Sequence, residues 1–367
     1  MTATTDLLSP VRFRCGAVAR NRICLAPLTN QQSADDGTLS DDERRWLVRR
    51  AEGGFGVIET CAAHVLADGK GFDGQLGIWS DAQLPGLRAL AGELARHGAL
   101  GLVQLYHGGV RAPSRLTGVQ PWSASVFHED RQGFEAPRAG TEADIEGAIE
   151  AFVAAAVRAH AAGFHGVELH AAHGYLLGQF LSRTINQRDD AWGGDLVGRA
   201  RLLRTIARRV RAAVPAPFVL GVRISPEEFG YARGVDLDES LALAGWLADD
   251  GVDFLHLSLW EAARNTAKRP EEHAVPLFRR ALPQEVRIVV AGNLWTAADA
   301  MAQLERGADM VAIGRAAILN PDWPRRIADP AYAPERGPLT PAELQALAIS
   351  ARFVEYLRRF RGMVRDG

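Results

Sequence analysis

The chain has 367 residues, a formal net charge of −2, a pI near 6.6 and 47% hydrophobic residues. Without a basic surplus a nucleic-acid partner is not expected, and no apolar run approaches the ~18 residues of a membrane span, so no membrane partner is expected either. Cys15, Cys24 and Cys61 stand far apart with no C-x-x-C pair, which argues against a disulfide framework or a cysteine-held zinc or iron–sulfur centre.

Residues 1–10 carry no basic-then-apolar leader pattern, so a reducing, cytoplasmic setting is the expectation. Segment 11–18 reads as a short hairpin. Runs rich in Val, Ile and Leu follow at 22–26, 56–60, 101–105, 166–169, 218–224, 254–258, 287–291 and 310–313. They lack strict alternation, as parallel strands covered on both faces do. Amphipathic stretches at 42–51, 84–97, 142–162, 198–214, 237–249 and 297–305 predict helices between them. Thr141 with Asp144 marks the N-cap of the third of these. The arginines of 199–211 read as a solvated helix face, and 107–138 as a long loop after the third strand.

Eight strands alternating with helices place the chain in the α/β class, as a single (β/α)8 TIM barrel over 1–367 with a short N-terminal hairpin. A doubly wound open sheet is the rival. It is disfavoured because no strand is followed by G-x-G-x-x-G.

In a barrel the residues just past each strand share one mouth. Here they are Pro27, Leu28 and Thr29, then Cys61 or Ala62, Gln104, His170 with His173, Arg223, Ser258, Gly292 with Asn293, and Gly314 with Arg315. The set suits a flat, polar heterocycle carrying a phosphate. Gln104 offers a donor and an acceptor to a ring edge, Arg223 a permanent cation. Gly292, Asn293, Gly314 and Arg315 stand where barrels often hold phosphate. His170 and His173 can donate paired hydrogen bonds to one carbonyl oxygen, and Tyr175 can give a proton to the same molecule.

Blander readings apply to single residues. His170 and His173 could ligate a metal, but no third ligand stands nearby, Glu168 being expected to point away along its strand. Cys24 and Cys61 are simplest as core residues; Asn186, Arg188 and Asp190 as braces of a long loop. His64 has no assigned role, and Trp260 is a candidate pocket wall.

Several stretches in order carry a resemblance. They are Asn21-Arg22-Ile23 leading to Ala26-Pro27-Leu28-Thr29, and Val103-Gln104-Leu105-Tyr106-His107-Gly108-Gly109. The block from Ala162-Gly163-Phe164 through Gly178-Gln179-Phe180-Leu181-Ser182 and Asn186-Gln187-Arg188-Asp189-Asp190 to Gly193-Gly194 continues the pattern. Gly221-Val222-Arg223-Ile224-Ser225 and Ala312-Ile313-Gly314-Arg315 with Asn320-Pro321-Asp322 complete it. The chain resembles the Old Yellow Enzyme family of FMN-dependent ene-reductases.

The resemblance implies non-covalent FMN and NAD(P)H as hydride donor. Pro27, Leu28 and Thr29 would lie along the flavin, Thr29 near its O4. Gln104 would bind the pyrimidine edge, Arg223 the N1 region, and Cys61 or Ala62 would meet the ring from strand two. His170 and His173 would hold the oxygen of an activated alkene, an α,β-unsaturated carbonyl, and Tyr175 would protonate it after hydride reaches its β-carbon. Asn30-Gln31-Gln32 depart from relatives that carry a tyrosine there, and the chain lacks the cysteines and length of iron–sulfur relatives. The tail Arg358-Arg359-Phe360-Arg361 is expected to be a solvated helix end, with reach into a neighbouring subunit's site as the alternative. An NAD(P)H:oxygen or quinone oxidoreductase of the same fold is the second functional reading. A non-flavin barrel lyase is the third, although the only lysines, Lys70 and Lys268, fall in predicted loops. Oligomeric state stays open, a homo-oligomer included.

Overall fold

The computed structural model describes residues 4–130 and 132–366. Residues 1–3, 131 and 367, which the readings of the N-terminus, the long loop and the domain span also take in, lie outside the described residues. Eight parallel strands form the barrel: β1 (Ile23–Leu25), β2 (Val57–Glu59), β3 (Leu100–Tyr106), β4 (Gly166–Ala171), β5 (Val219–Ile224), β6 (Phe254–Ser258), β7 (Arg287–Ala291) and β8 (Met310–Ile313). Each pairs with its sequence neighbour, and β8 pairs with β1 (Ala312 opposite Cys24), which closes the sheet. A two-residue strand, Ala63–His64, adds to the far end of β3.

Strands β6, β7 and β8 span the residues expected. The fourth runs two residues further than its apolar run, to Ala171, because Ala171 pairs with Ile224 of β5. His170 therefore belongs to the strand itself.

The barrel floor is closed by the hairpin, Val11–Arg12 against Val18–Ala19. Phe13 packs against Phe254 inside the barrel, ring centroids 5.9 Å apart. Gly221 makes this possible, since a Cβ there would stand 2.0 Å from the Phe254 ring.

Helices α1 (Asp41–Glu52), α2 (Leu84–Arg96), α3 (Glu142–Ala161), α4 (Leu196–Ala213), α5 (Leu237–Asp249), α6 (Ala274–Ala281), α7 (Ala297–Glu305) and α8 (Ala351–Leu357) follow the eight strands in turn. Their buried faces form the outer core. The Thr141–Asp144 pair caps α3 reciprocally, as its spacing predicts. Helix α4 opens earlier than expected because Asp195 accepts from the Gly198 N–H at 2.9 Å. Helix α6 escaped the sequence reading: it has only eight residues, one of them Pro276.

Two features seat the pieces around the mouth. The long loop after β3 is pinned by buried Trp122, whose indole N–H donates to Asp68 at 3.1 Å. The C-terminal segment is held by buried Arg50, which donates to the carbonyls of Ala317, Ile318 and Leu347. Phe353 of α8 meets Trp46 edge-on at 5.6 Å.

Candidate active site

Two adjoining cavities, about 510 and 280 Å³, open at the carboxyl ends of the strands and share Pro27, Leu28, His173, Tyr175, Arg223 and Arg315. Gly292, Asn293 and Gly314 line the larger one; Thr29, Ala62, Gln104 and His170 line the smaller. Of the two residues left open on strand two, Ala62 faces the cavity. Cys61 is fully buried in the outer core, its thiol directed at the Ala62 carbonyl.

The end of β4 is built to present three side chains at once. His173 and Gly174 both take left-handed backbone conformations, φ +60° and +72°, which turn the strand sharply into the helix Leu176–Leu181. A Cβ at Gly174 would stand 2.1 Å from the Tyr231 carbonyl oxygen, so only glycine fits. The turn folds His173 and Tyr175 back toward His170. The two imidazoles lie 5.0 Å apart and perpendicular, and the Tyr175 ring is 5.0 Å from that of His170.

Burial sets the protonation of all three. Loss of water first, with the Arg223 charge adding to it, pushes His170 and His173 well below the ordinary histidine range, so both are neutral. Burial raises Tyr175, so the phenol keeps its proton. His170 Nδ1 accepts from the Ala172 N–H at 3.4 Å, which leaves the Nε2 proton for a ligand. His173 Nε2 is already engaged, 2.7 Å from Ser258 Oγ, which also accepts from Arg223 Nη2 at 3.1 Å.

Beneath this layer lies a second polar layer inside the barrel. Glu168 does not point away along its strand: two residues before His170, it shares the inward face, one layer deeper. It accepts from Gln104 Nε2 and faces His256 Nδ1, both at 2.7 Å. Buried Glu59 completes the cluster: one ligating atom each from Glu59, Glu168 and His256 lies within 4.8 Å of the others. Burial, then the Glu168 charge, raises Glu59 well above the usual carboxylate range. Burial pushes Glu168 up too, but His256, Arg223 and Gln104 outweigh it and hold it below its ordinary value. One proton on Glu59 facing an ionised Glu168, with Arg223 as counter-charge, accounts for the cluster without a metal.

At the opposite end of the larger cavity, Asn293 (φ +55°) accepts from Arg315 and from the Trp295 indole, and donates to Glu261 at 2.8 Å. Arg315 is thus braced where an anionic group would sit.

The residues present fit a flavin mononucleotide. Arg223 Nε is buried with no hydrogen-bond partner, a donor in want of an acceptor. Gln104 spends one amide N–H on Glu168 and keeps its oxygen for the cavity.

Some wall residues lay beyond sequence reasoning. Phe353, Tyr356, Leu357, Phe360 and Met363 close the smaller cavity from the chain's own C-terminal segment. Phe360, read as part of a solvated tail, is therefore half pocket wall, while Arg358 pairs with Asp366 outside. Trp260 lines the larger cavity though 76% exposed, 6.0 Å from Phe229. Neither Lys70, bound to the Asp35 carbonyl, nor Lys268, paired with Asp236 and Asp238, lines either cavity.

A barrel with this mouth defines a class of flavin-dependent oxidoreductases, and comparison with known proteins agrees. Residues 6–333 match the NADH:flavin oxidoreductase / NADH oxidase family. The chain is 36% identical over 326 residues to a probable NADH-dependent flavin oxidoreductase of Bacillus subtilis, covering 86% of each. It is 34% identical to an NADH:fumarate oxidoreductase of Klebsiella pneumoniae, covering 89% of this chain and 36% of that one. Among solved structures it is similar to an Old Yellow Enzyme homologue from Zymomonas mobilis, with 30% identity, a TM-score of 0.80 and coverage of 90% and 94%. The chain belongs to the NADH:flavin oxidoreductase / NADH oxidase family, of the Old Yellow Enzyme type. It is an oxidoreductase that uses FMN, with NAD(P)H as electron donor.

Proposed function

We propose that the chain reduces small activated alkenes, α,β-unsaturated carbonyl compounds, at the expense of NAD(P)H. When bound, FMN would supply the two-electron hydride chemistry that links the nicotinamide to the alkene β-carbon. The reading rests on one observation: two neutral imidazoles and a protonated phenol converge on the cavity that the flavin-binding set lines.

Each side chain then has a task. The Nε2–H of His170 donates to the substrate oxygen, and so does the Nδ1–H of His173 while its Nε2 accepts from the Ser258 hydroxyl; both stabilise the charge that gathers there in the transition state. Neutrality matters, because an imidazolium pair beside Arg223 would repel itself before substrate arrived. Tyr175 holds its proton until carbanion character develops at the α-carbon, then gives it up. Ser258 fixes the His173 ring, and the aromatic wall of Phe353, Tyr356 and Phe360 excludes water. Pro27, Leu28, Thr29 and Ala62 would bound the plane of the ring, Gln104 and Arg223 would bind its polar edge, and Gly292, Asn293, Gly314 and Arg315 would hold its phosphate. The name of the Klebsiella relative, which acts on fumarate, supports an electron-poor alkene as substrate.

An ultraviolet–visible spectrum tests this. The purified protein is titrated anaerobically with NADH or NADPH, then with 2-cyclohexenone. Flavin bands that bleach and return with the enone are expected. Bleaching reversed only by air or a quinone would replace the proposal with an NAD(P)H:acceptor oxidase.

A further inference from the structure

Glu59, Glu168 and His256 of the deeper polar layer line neither cavity, yet their burial is costly. Two carboxyl groups, an imidazole and a guanidinium are stacked where the neighbouring layer is filled by Phe254, Val289 and Met310. A hydrophobic layer would hold the barrel at least as well, since buried charge is costly to desolvate. Its geometry points upward. Glu168 lies one residue pair below His170 on β4, takes the amide N–H of Gln104 from β3 and faces His256 of β6. Gln104 and Arg223 are the two residues through which this layer meets the cavity.

We propose that Glu168 is the positioning residue of the flavin site: it fixes Gln104 with its amide oxygen toward the pyrimidine edge and tempers the positive charge that Arg223 presents to that edge, with Glu59 set beside it. The inference rests on the FMN site above, and deepens it.

Two consequences follow from the chemistry. An amide whose N–H₂ faces a carboxylate cannot flip without setting two oxygens against each other, so the Gln104 oxygen is held toward the cavity. A ring edge bearing an N–H is selected over one bearing a bare acceptor. In addition, reduction places extra electron density on the edge beside Arg223, which that cation favours. The ionised Glu168 opposes it, making the bound flavin a stronger reductant than Arg223 alone would leave it. Glu59 follows the same direction: burial and the Glu168 charge keep its carboxyl protonated, so it adds a hydrogen bond and no second negative charge.

The experiment compares the midpoint potential of bound FMN, by spectroelectrochemical titration, in wild-type holoenzyme, Glu168→Gln and Glu59→Gln. Glu168→Gln is expected to shift the oxidised/reduced equilibrium at least tenfold toward the reduced form. For a two-electron couple that is about 30 mV in the positive direction. Its FMN dissociation constant, read by flavin fluorescence, should rise severalfold because Gln104 is freed to flip. Glu59→Gln, which keeps a neutral hydrogen-bonding group, should shift the equilibrium less than threefold. A Glu168→Gln potential equal to that of wild type, or equal shifts in both variants, would overturn the assignment.

Should Glu168→Gln not fold, the infrared reduced-minus-oxidised difference spectrum of the wild-type holoenzyme decides. A protonated-carboxyl band that moves on reduction is expected, and its absence refutes the neutral Glu59 and the proposal with it. A wild-type protein that binds no FMN would instead sink the reading of the site, a separate result.

Discussion

His173 Nε2 lies 2.7 Å from Ser258 Oγ, a contact that reaches from the end of β4 across β5 to the end of β6. Because Ser258 also accepts from Arg223, one hydroxyl ties the His173 imidazole to the Arg223 guanidinium. Ser258→Ala should therefore loosen both at once. Losing one buried hydrogen bond and stranding a guanidinium N–H is worth about 1–2 kcal/mol, roughly a tenfold drop in kcat/KM for an enone. Steady-state kinetics check it; an unchanged value would mean that the ring is held by packing alone.

Tyr175→Phe separates the two half-reactions. Removing a positioned proton donor costs roughly 10²–10⁴-fold in the step it serves. Stopped-flow bleaching by NADH should stay within a factor of two or three of wild type, while re-oxidation by 2-cyclohexenone slows by that larger factor. Re-oxidation by air, which needs no such proton, should continue. Equal slowing of both halves would assign Tyr175 to binding instead.

Gly174→Ala tests the turn. The new methyl would meet the Tyr231 carbonyl oxygen at 2.1 Å, on a residue with φ +72°. Left-handed strain costs about 1–3 kcal/mol, and the clash adds to it. Thermal unfolding should fall by several degrees, and enone turnover should fall further than flavin reduction, because His173 and Tyr175 flank the distorted residue.

His64 contributes a pH dependence of stability that can be read away from the cavities. Burial holds it down at about 4, against 6.5 in the unfolded chain. As pH falls the unfolded chain binds this proton first, so the His64 contribution is complete above pH 6.5 and is lost progressively down to about 4. At about 1.4 kcal/mol per tenfold change in proton affinity, the loss is on the order of 3 kcal/mol. Melting temperatures at pH 7.5, 6 and 4.5 should decline, and His64→Gln, still able to donate to the Leu66 carbonyl, should flatten part of that decline. A variant as steep as wild type would place the loss elsewhere.

The framework was legible in the chain because its physics is local. A parallel barrel strand is covered on both faces, so an unbroken apolar run marks it; β6, β7 and β8 and the helices α5 and α7 fall on the residues those runs indicate. The order of strands then brings their ends to one mouth, and with it Pro27, Gln104, His170, Arg223 and Arg315 to one pair of cavities. No long-range information is needed for that beyond closure of the sheet.

What only the tertiary structure decided depends on which way side chains face and on segments distant in sequence. Whether Cys61 or Ala62 meets the cavity turns on a single residue of register at a strand end, where one step reverses the side chain. Glu168 has inward-facing partners, Gln104 and His256, that are 64 and 88 residues away, so nothing local marks it as ionised or Glu59 as neutral. Tyr356 and Phe360 reach the cavity because Arg50 and Trp46 seat the C-terminal helix. The sequence by itself determined the barrel and the identity of its mouth, through periodicity and chain order. The protonation states and the wall came from burial and from contacts across the whole chain, which exist only once the sheet has closed.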